Sequence, residues 1–261
     1  KFLKSASTDA NVAVTRGYTR GLASLSTNLI RTYWERIIKV LSENCEKKMK
    51  DLDDVDTRKY AITAFEKIVL KFLEEDTECT GKDLPITQDV LDGIFKTAFS
   101  LMGDYTMDKR GDIGSIVREA SMYVMLSLIK EISLKHKKNP NYPLKITDKI
   151  IFKVVCELFQ QLAEKIDRTR LIAGSILQEI VDNYHSLLPE YSHKEKVGAV
   201  FSRENIVVLM QNEQNRIAND YSLEEETKGK SFATISTQHQ ETEAVDFKKD
   251  FVYYWNVSHC V

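Results

Sequence analysis

The sequence predicts an all-α protein built as a HEAT/armadillo-like α-solenoid of stacked antiparallel helix pairs. Three observations carry that expectation. Only 4 prolines and 10 glycines interrupt 261 residues. Between these breakers, apolar residues recur at three- and four-residue spacing, the helical period. A weak repeat also runs through the chain: an arginine near a helix start is followed within a few residues by a small residue, as at Arg16 with Gly17 and Ala23, Arg58 with Ala61, Arg118 with Ala120 and Arg170 with Ala173. Once the loops at 76–86 and 136–145 are allowed for, the intervals fit helix pairs of about 40 to 47 residues. A pair of that size cannot bury its apolar faces alone, so pairs stack on one another.

In chain order, the helical spans predicted by this spacing are 10–24, 27–48, 55–75, 87–102, 112–137, 146–165 and 168–186, with weaker pieces at 193–200 and 203–219 and a last one at 244–259. Over 55–75, Tyr60, Ala64, Ile68, Val69 and Phe72 share a stripe and Lys59, Glu66, Lys67 and Lys71 fall mostly elsewhere, the pattern of a surface-facing helix packed on one side. In contrast, Met122 to Met125 with Leu126, Leu128 and Ile129 surround the helix axis, which predicts an element near the centre. Strand signals are poor: Asp92-Gly93 sits inside a helical pattern, and Ile206-Val207-Val208-Leu209-Met210 is the one ambiguous apolar run. Residues 212–243 are polar with few aromatics and read as a loop or disordered insert, so the expected organisation is helical repeats over 1–211, the insert over 212–243, and the start of a further helix over 244–261. A start at Lys1 and an end just past Phe251-Val252-Tyr253-Tyr254-Trp255 suggest a piece of a longer protein.

Composition narrows function by exclusion. With 37 basic and 39 acidic residues there is no cationic footprint for nucleic acid. No run approaches the length of a bilayer-spanning helix and no apolar h-region follows the N-terminus, so neither membrane insertion nor secretion is expected. Cys45, Cys79, Cys156 and Cys260 lie far apart and read as reduced cytosolic thiols, with Cys156 a small buried hydrophobe among Ile150, Ile151, Val154, Val155, Leu158 and Phe159. None of the five histidines stands at ligand spacing, and no GxxxxGK[ST] phosphate loop is present, so no metal, cofactor or catalytic residue is expected and the chain is not read as an enzyme. Asp112 reads as an N-cap delivered by a turn at Gly111, and Lys135-His136-Lys137-Lys138 as a solvated run favoured by a helix C-terminus. Glu164, Lys165, Asp167 and Arg168 read as an ion-pair cluster at an inter-helix corner. Asp112 with Arg118, and Asp167 with Arg170, read as the Asp and Arg that tie adjacent repeats together.

The segment from Asp104-Tyr105-Thr106-Met107-Asp108-Lys109-Arg110-Gly111-Asp112-Ile113-Gly114-Ser115 to Ile116-Val117-Arg118-Glu119-Ala120 resembles the signature of the tubulin-folding cofactor D family, an acidic-aromatic turn before R-G-D-(V/I)-G-(T/S)-x-V-R-x-A-(A/S). Glu164-Lys165-Ile166-Asp167-Arg168-Thr169-Arg170 is similar to that family's E-K-I-D-R-x-R. Val14-Thr15-Arg16-Gly17-Tyr18 resembles its V-R-G-(Y/F) with one residue inserted. The likeness covers about 10–190 and fades beyond, with no counterpart for 211–243. It implies a cytoplasmic, cytoskeleton-associated scaffold that binds β-tubulin and works with tubulin cofactors C and E and an Arf-like small GTPase, including GTPase activation in the assembly, to build or dismantle the αβ-tubulin dimer. It also marks Asp104, Tyr105, Asp108, Lys109, Arg110, Asp112, Arg118, Glu164, Lys165, Asp167 and Arg168 as partner-binding or repeat-defining residues. The competing expectation is a generic HEAT-repeat adaptor for transport or trafficking, for which those motif matches would be coincidence.

Overall fold

A computed structural model describes residues 3, 5, 6, 11–46 and 54–205. The weaker helix beyond 205, the apolar run at 206–210, the polar insert at 212–243 and the helix at 244–259 lie outside the described residues. The described helices are α1 (Val12–Leu22), α2 (Thr27–Thr32), α3 (Trp34–Cys45), α4 (Val55–Glu75), α5 (Gln88–Met102), α6 (Ser115–Lys138), α7 (Asp148–Leu162), α8 (Asp167–Glu179) and α9 (Lys194–Phe201). Two-residue strands β1 (Met107–Asp108) and β2 (Gly111–Asp112) stand between α5 and α6. The fold is an all-α solenoid. Antiparallel partners α3 and α4, α5 and α6, and α7 and α8 pair, and α1, α4, α6 and α8 stack into one row against which the first members lie.

Side-chain caps mark four of the nine described helix starts. Asn11, Asp54, Thr87 and Thr147 cap α1, α4, α5 and α7, their side chains accepting from Ala13, Thr57, Val90 and Ile150 N–H groups. The expected single helix over 27–48 breaks at Tyr33, where φ is −117 and ψ is 22. The break lets two side chains meet one ring: the Arg31 guanidinium lies 4.7 Å from the Phe72 centroid, and Trp34 meets Phe72 edge-on at 5.6 Å. Downstream, the expected 168–186 helix keeps α-geometry only to Glu179, then widens to a π-helical turn over Ile180–Tyr184 and tightens to a 3-10 turn over His185–Leu187.

Burial corrects two expectations. Helix α4 is not surface-facing on one side: it packs against α1, α2, α3, α5 and α6, and Ala61, Ile62, Phe65 and Leu73 are buried along with the expected stripe residues Ala64, Ile68, Val69 and Phe72. Its charges occupy a narrow strip, which the stripe count alone did not reveal. Helix α6 does lie centrally, in contact with α4, α5 and α8, although Tyr123 on its outer edge is exposed. On α7 the buried face is Ile150, Ile151, Val154, Val155, Leu158 and Leu162. Cys156 lies on the opposite face and is exposed, together with Phe152 and Phe159, so it is not a buried hydrophobe.

The basic run ending α6 is also only half solvated. Lys135 is buried and its Nζ donates to the Asp76 carbonyl, and His136 Nε2 sits 2.7 Å from the Leu144 carbonyl, leaving Lys137 and Lys138 exposed. These side chains close the end of α6 over the following turn.

Where the 3-10 turn meets α9, a Cβ at Gly198 would come within 2.9 Å of the His185 ring, so imidazole and helix backbone are in close contact. Burial, and then the Lys194 ammonium, push His185 below its ordinary 6.5, against the opposing pull of Glu190. The folded state therefore favours neutral imidazole, and as pH falls through 6.5 the unfolded chain takes up the proton first. The stability this residue contributes is complete above 6.5 and is lost as pH falls toward the lowered folded value. The thermal midpoint of the full chain is expected to drop between about pH 7.5 and about pH 5.5, and the drop is expected to shrink in His185→Gln. An equal drop in both proteins would remove His185 as its source.

Candidate functional site

The arginines that return along the sequence form a ladder at one edge of the stacked row. Each sits in the first or second turn of its helix, at Arg16 in α1, Arg58 in α4, Arg118 in α6 and Arg170 in α8. Arg16 Nε donates to the Asp54 carboxylate at 2.7 Å, and the Asp54 carbonyl accepts from Arg58 at 3.2 Å. Arg58 Nε donates to the Asp104 carboxylate at 2.6 Å, and the Asp104 carbonyl accepts from Arg118 at 2.7 Å. Arg118 approaches the Glu164 carboxylate at 3.8 Å, and the Glu164 carbonyl accepts from Arg170. Asp54, Asp104 and Glu164 thus each join two successive arginines, one through the carboxylate and one through the carbonyl. Both charges of the Arg58–Asp104 pair are buried, and the Thr106 hydroxyl accepts from Arg58 at 3.0 Å and donates to Asp104 at 2.6 Å.

Arg118 is the most enclosed rung. Its side chain is fully buried, and Nε donates to Gln161 Oε1 at 3.0 Å while two nitrogens reach the Asp112 carboxylate at 2.8 and 3.3 Å. The Tyr105 ring covers it, centroid 4.2 Å from the guanidinium carbon, and the Tyr105 hydroxyl donates to Glu164. Partial burial and then the Glu164 carboxylate raise the Tyr105 pKa above 10.0, so this phenol is a neutral donor at physiological pH.

Above this cluster stands the β1–β2 hairpin, with Met107 opposite Asp112 and Asp108 opposite Gly111. Sequence reasoning gave no strand here; the pairing is two residues long, too short to show alternation. Gly111 turns it at φ +113, as expected, but Asp112 is not an N-cap: α6 starts at Ser115 behind Gly114, and the Asp112 carboxylate is held by Arg118. At the tip the Arg110 side chain donates to Asp108 at 2.9 Å and Lys109 is exposed. The Arg110 hydrogen bonds hold the Asp108 carboxyl below the usual carboxylate range. Beside the cluster, Tyr105 is 43% and Met107 63% exposed, and Tyr123 on α6 is exposed as well.

The structure thus gathers Asp104, Tyr105, Asp112, Arg118 and Glu164 into one network, and puts Asp108, Lys109 and Arg110 at the hairpin tip. It does not assemble Glu164, Lys165, Asp167 and Arg168 into the expected corner cluster. Arg168 pairs with Glu119, which also accepts from Thr169 at 3.0 Å; Asp167 pairs with Arg170; Lys165 is exposed. Glu164 and Lys165 lie in the turn before α8 and Asp167 and Arg168 in its first turn, so their side chains diverge toward different partners. Asp54, Thr106, Glu119 and Gln161 were missed, since long-range partners leave no spacing signal. Among the described residues no group of acidic, His or Cys side chains could hold a metal ion, and no helix is long and apolar enough to cross a membrane.

An arginine ladder through stacked helix pairs, carrying an exposed aromatic and charged hairpin, defines a helical-repeat protein. Comparisons with known proteins agree with the motifs: residues 152–223 match the family described as tubulin folding cofactor D C terminal. Tubulin-specific chaperone D of Dictyostelium discoideum is 27% identical over 224 residues, covering 76% of this chain. The chain is thus similar to the tubulin-folding cofactor D family, over those residues and over the span aligned with that relative. It spans 15% of the length of that relative, and the family match carries the likeness past the point near 190 where the sequence motifs fade. No solved structure matches.

Proposed function

We propose that this chain is a non-enzymatic scaffold segment that binds β-tubulin, and acts with tubulin cofactors C and E and an Arf-like small GTPase in assembling or dismantling the αβ-tubulin dimer in the cytoplasm and at the cytoskeleton. GTP chemistry in such an assembly belongs to the nucleotide on tubulin, with this chain contributing to GTPase activation only as a binding partner. The observation that carries the reading is the likeness to a tubulin-specific chaperone D joined to the hairpin surface. Tyr105, Met107, Lys109 and Arg110 are exposed there on a backbone fixed from below by Arg118. Aromatic and arginine side chains held rigidly in that way suit a protein partner, because little entropy is lost when they are buried.

The test is retention of purified tubulin by the full chain at low and moderate salt, beside an Asp108→Ala, Lys109→Ala, Arg110→Ala variant of unchanged helicity. The full chain is expected to retain tubulin, and the variant to bind about tenfold more weakly, on the order of 1 to 2 kcal/mol for truncating exposed contacts. Binding that is equal in both would move the tubulin contact off the hairpin. Failure of both to bind would overturn the tubulin reading and leave a structural or cofactor-docking role.

A further inference from the structure

The hydroxyls of Thr32, Thr63, Thr97 and Ser121 each donate to the carbonyl four residues back in their helices, at 2.8 to 2.9 Å. Ser133, on the same helix as Ser121, departs from that pattern: it is 3% exposed and its Oγ has no hydrogen-bond partner among the described residues. A hydroxyl buried in that state carries a desolvation cost with no bond to offset it. Ser133 lines a cleft of about 290 Å3 where the end of α6, the chain ahead of α7 and the chain after the 3-10 turn meet. Ile132, Ile146, Leu187 and Pro189 form its apolar walls. His136 stands among them as a fixed wall, its Nε2 2.7 Å from the Leu144 carbonyl and its ring edge-on to Tyr142.

Cations flank this cleft. Lys145 lines it and is exposed, and the Lys145 N–H donates to Gln88 Oε1 at 2.9 Å, so the backbone that presents the ammonium is held in place. Lys137, one turn beyond Ser133 on the same face of α6, is exposed too. Glu190, beside Pro189, is already engaged by the Lys194 ammonium at 3.0 Å. We propose that the cleft binds a small organic carboxylate with an apolar body. The carboxylate accepts from the Ser133 hydroxyl and pairs with Lys145, and the body lies against Ile132, Ile146 and Leu187. The orphaned hydroxyl thereby gains a charged acceptor, the stronger kind of hydrogen bond. Mostly apolar walls with a few polar groups are the pattern of a small-molecule site, and the volume stands near the lower end for such sites, roughly 300 Å3.

Calorimetric titration of the full chain with 4-phenylbutyrate tests this, beside 4-phenylbutylamine, which has the same body and the opposite charge. The carboxylate is expected to bind with a dissociation constant of about 0.1 to 1 mM, and the amine about tenfold more weakly. Ser133→Ala is expected to weaken carboxylate binding about tenfold. The thermal midpoint of the unliganded variant is expected to stay unchanged or rise, since no bond within the fold is lost. A lowered midpoint would place the hydroxyl in a bond within the fold and overturn the assignment. Lys145→Gln is expected to weaken the carboxylate by a similar factor and not the amine. No binding of the carboxylate, equal binding of the amine, or undiminished binding by both variants would overturn the proposal. So would an affinity that falls as protein concentration rises, which would assign the cleft to a second copy. None of these readouts involves tubulin, so the proposal stands or falls apart from the proposed function.

Discussion

Replacing Arg118 by Met is expected to lower the stability of the full chain by about 3 to 5 kcal/mol, although the methionine keeps most of the aliphatic packing under Tyr105. The wild-type guanidinium satisfies Asp112, Gln161 and the Asp104 carbonyl and faces Glu164. Its removal leaves two carboxylates together at a site closed by an aromatic ring, with a buried carbonyl and a buried amide oxygen unpaired. Arg118→Lys is expected to recover little, since one ammonium cannot reach acceptors arranged around a planar fork. Urea unfolding followed by circular dichroism measures the loss. A change below about 1 kcal/mol would show that the network is a by-product of packing and not a support of it.

Gly114→Ala is expected to be comparably damaging, for a steric reason. A Cβ at Gly114 would stand 2.1 Å from the Asp104 carbonyl oxygen and 2.7 Å from the Thr106 nitrogen. Both are backbone atoms and cannot swing aside. The Gly114 N–H donates to the Thr106 carbonyl at 3.0 Å, so relief of the clash would break that bond and drag the Asp104 carbonyl off Arg118. The expected loss is on the order of 3 kcal/mol or more, with weaker tubulin retention as the hairpin shifts. Gly93→Ala is the control. It lies within α5 with nothing inside 4 Å, and is expected to stabilise by about 0.5 to 1 kcal/mol through helix propensity. If the two substitutions behaved alike, close approach of backbone at Gly114 would not be the reason for glycine there.

Much of the fold was legible because helix periodicity acts over a few residues. The spans at 55–75 and 87–102 are local features of one chain segment, whereas the one cap read from the sequence, Asp112, does not cap its helix. The site was legible in part. The recurring arginine was visible, and Asp112 and Arg118 do pair. The acids that join successive rungs proved to be Asp54, Asp104 and Glu164, at different distances before Arg58, Arg118 and Arg170 because the hairpin is inserted before α6 only. A fixed-spacing search passes over them for that reason.

By itself the sequence determined that the chain is helical, where most helices begin, that Gly111 turns the chain ahead of Asp112, and which family's motifs it resembles. Only the tertiary structure decided that α4 is enclosed by five neighbouring helices, that Cys156 faces outward, that Lys135 is buried against Asp76, and which carboxylate each arginine takes. A periodic pattern records how much of a helix is apolar. The other side of each contact is contributed by residues some 40 to 60 positions away, as between Arg58 and Asp104 or Arg168 and Glu119, and those partners are chosen by how the pairs stack.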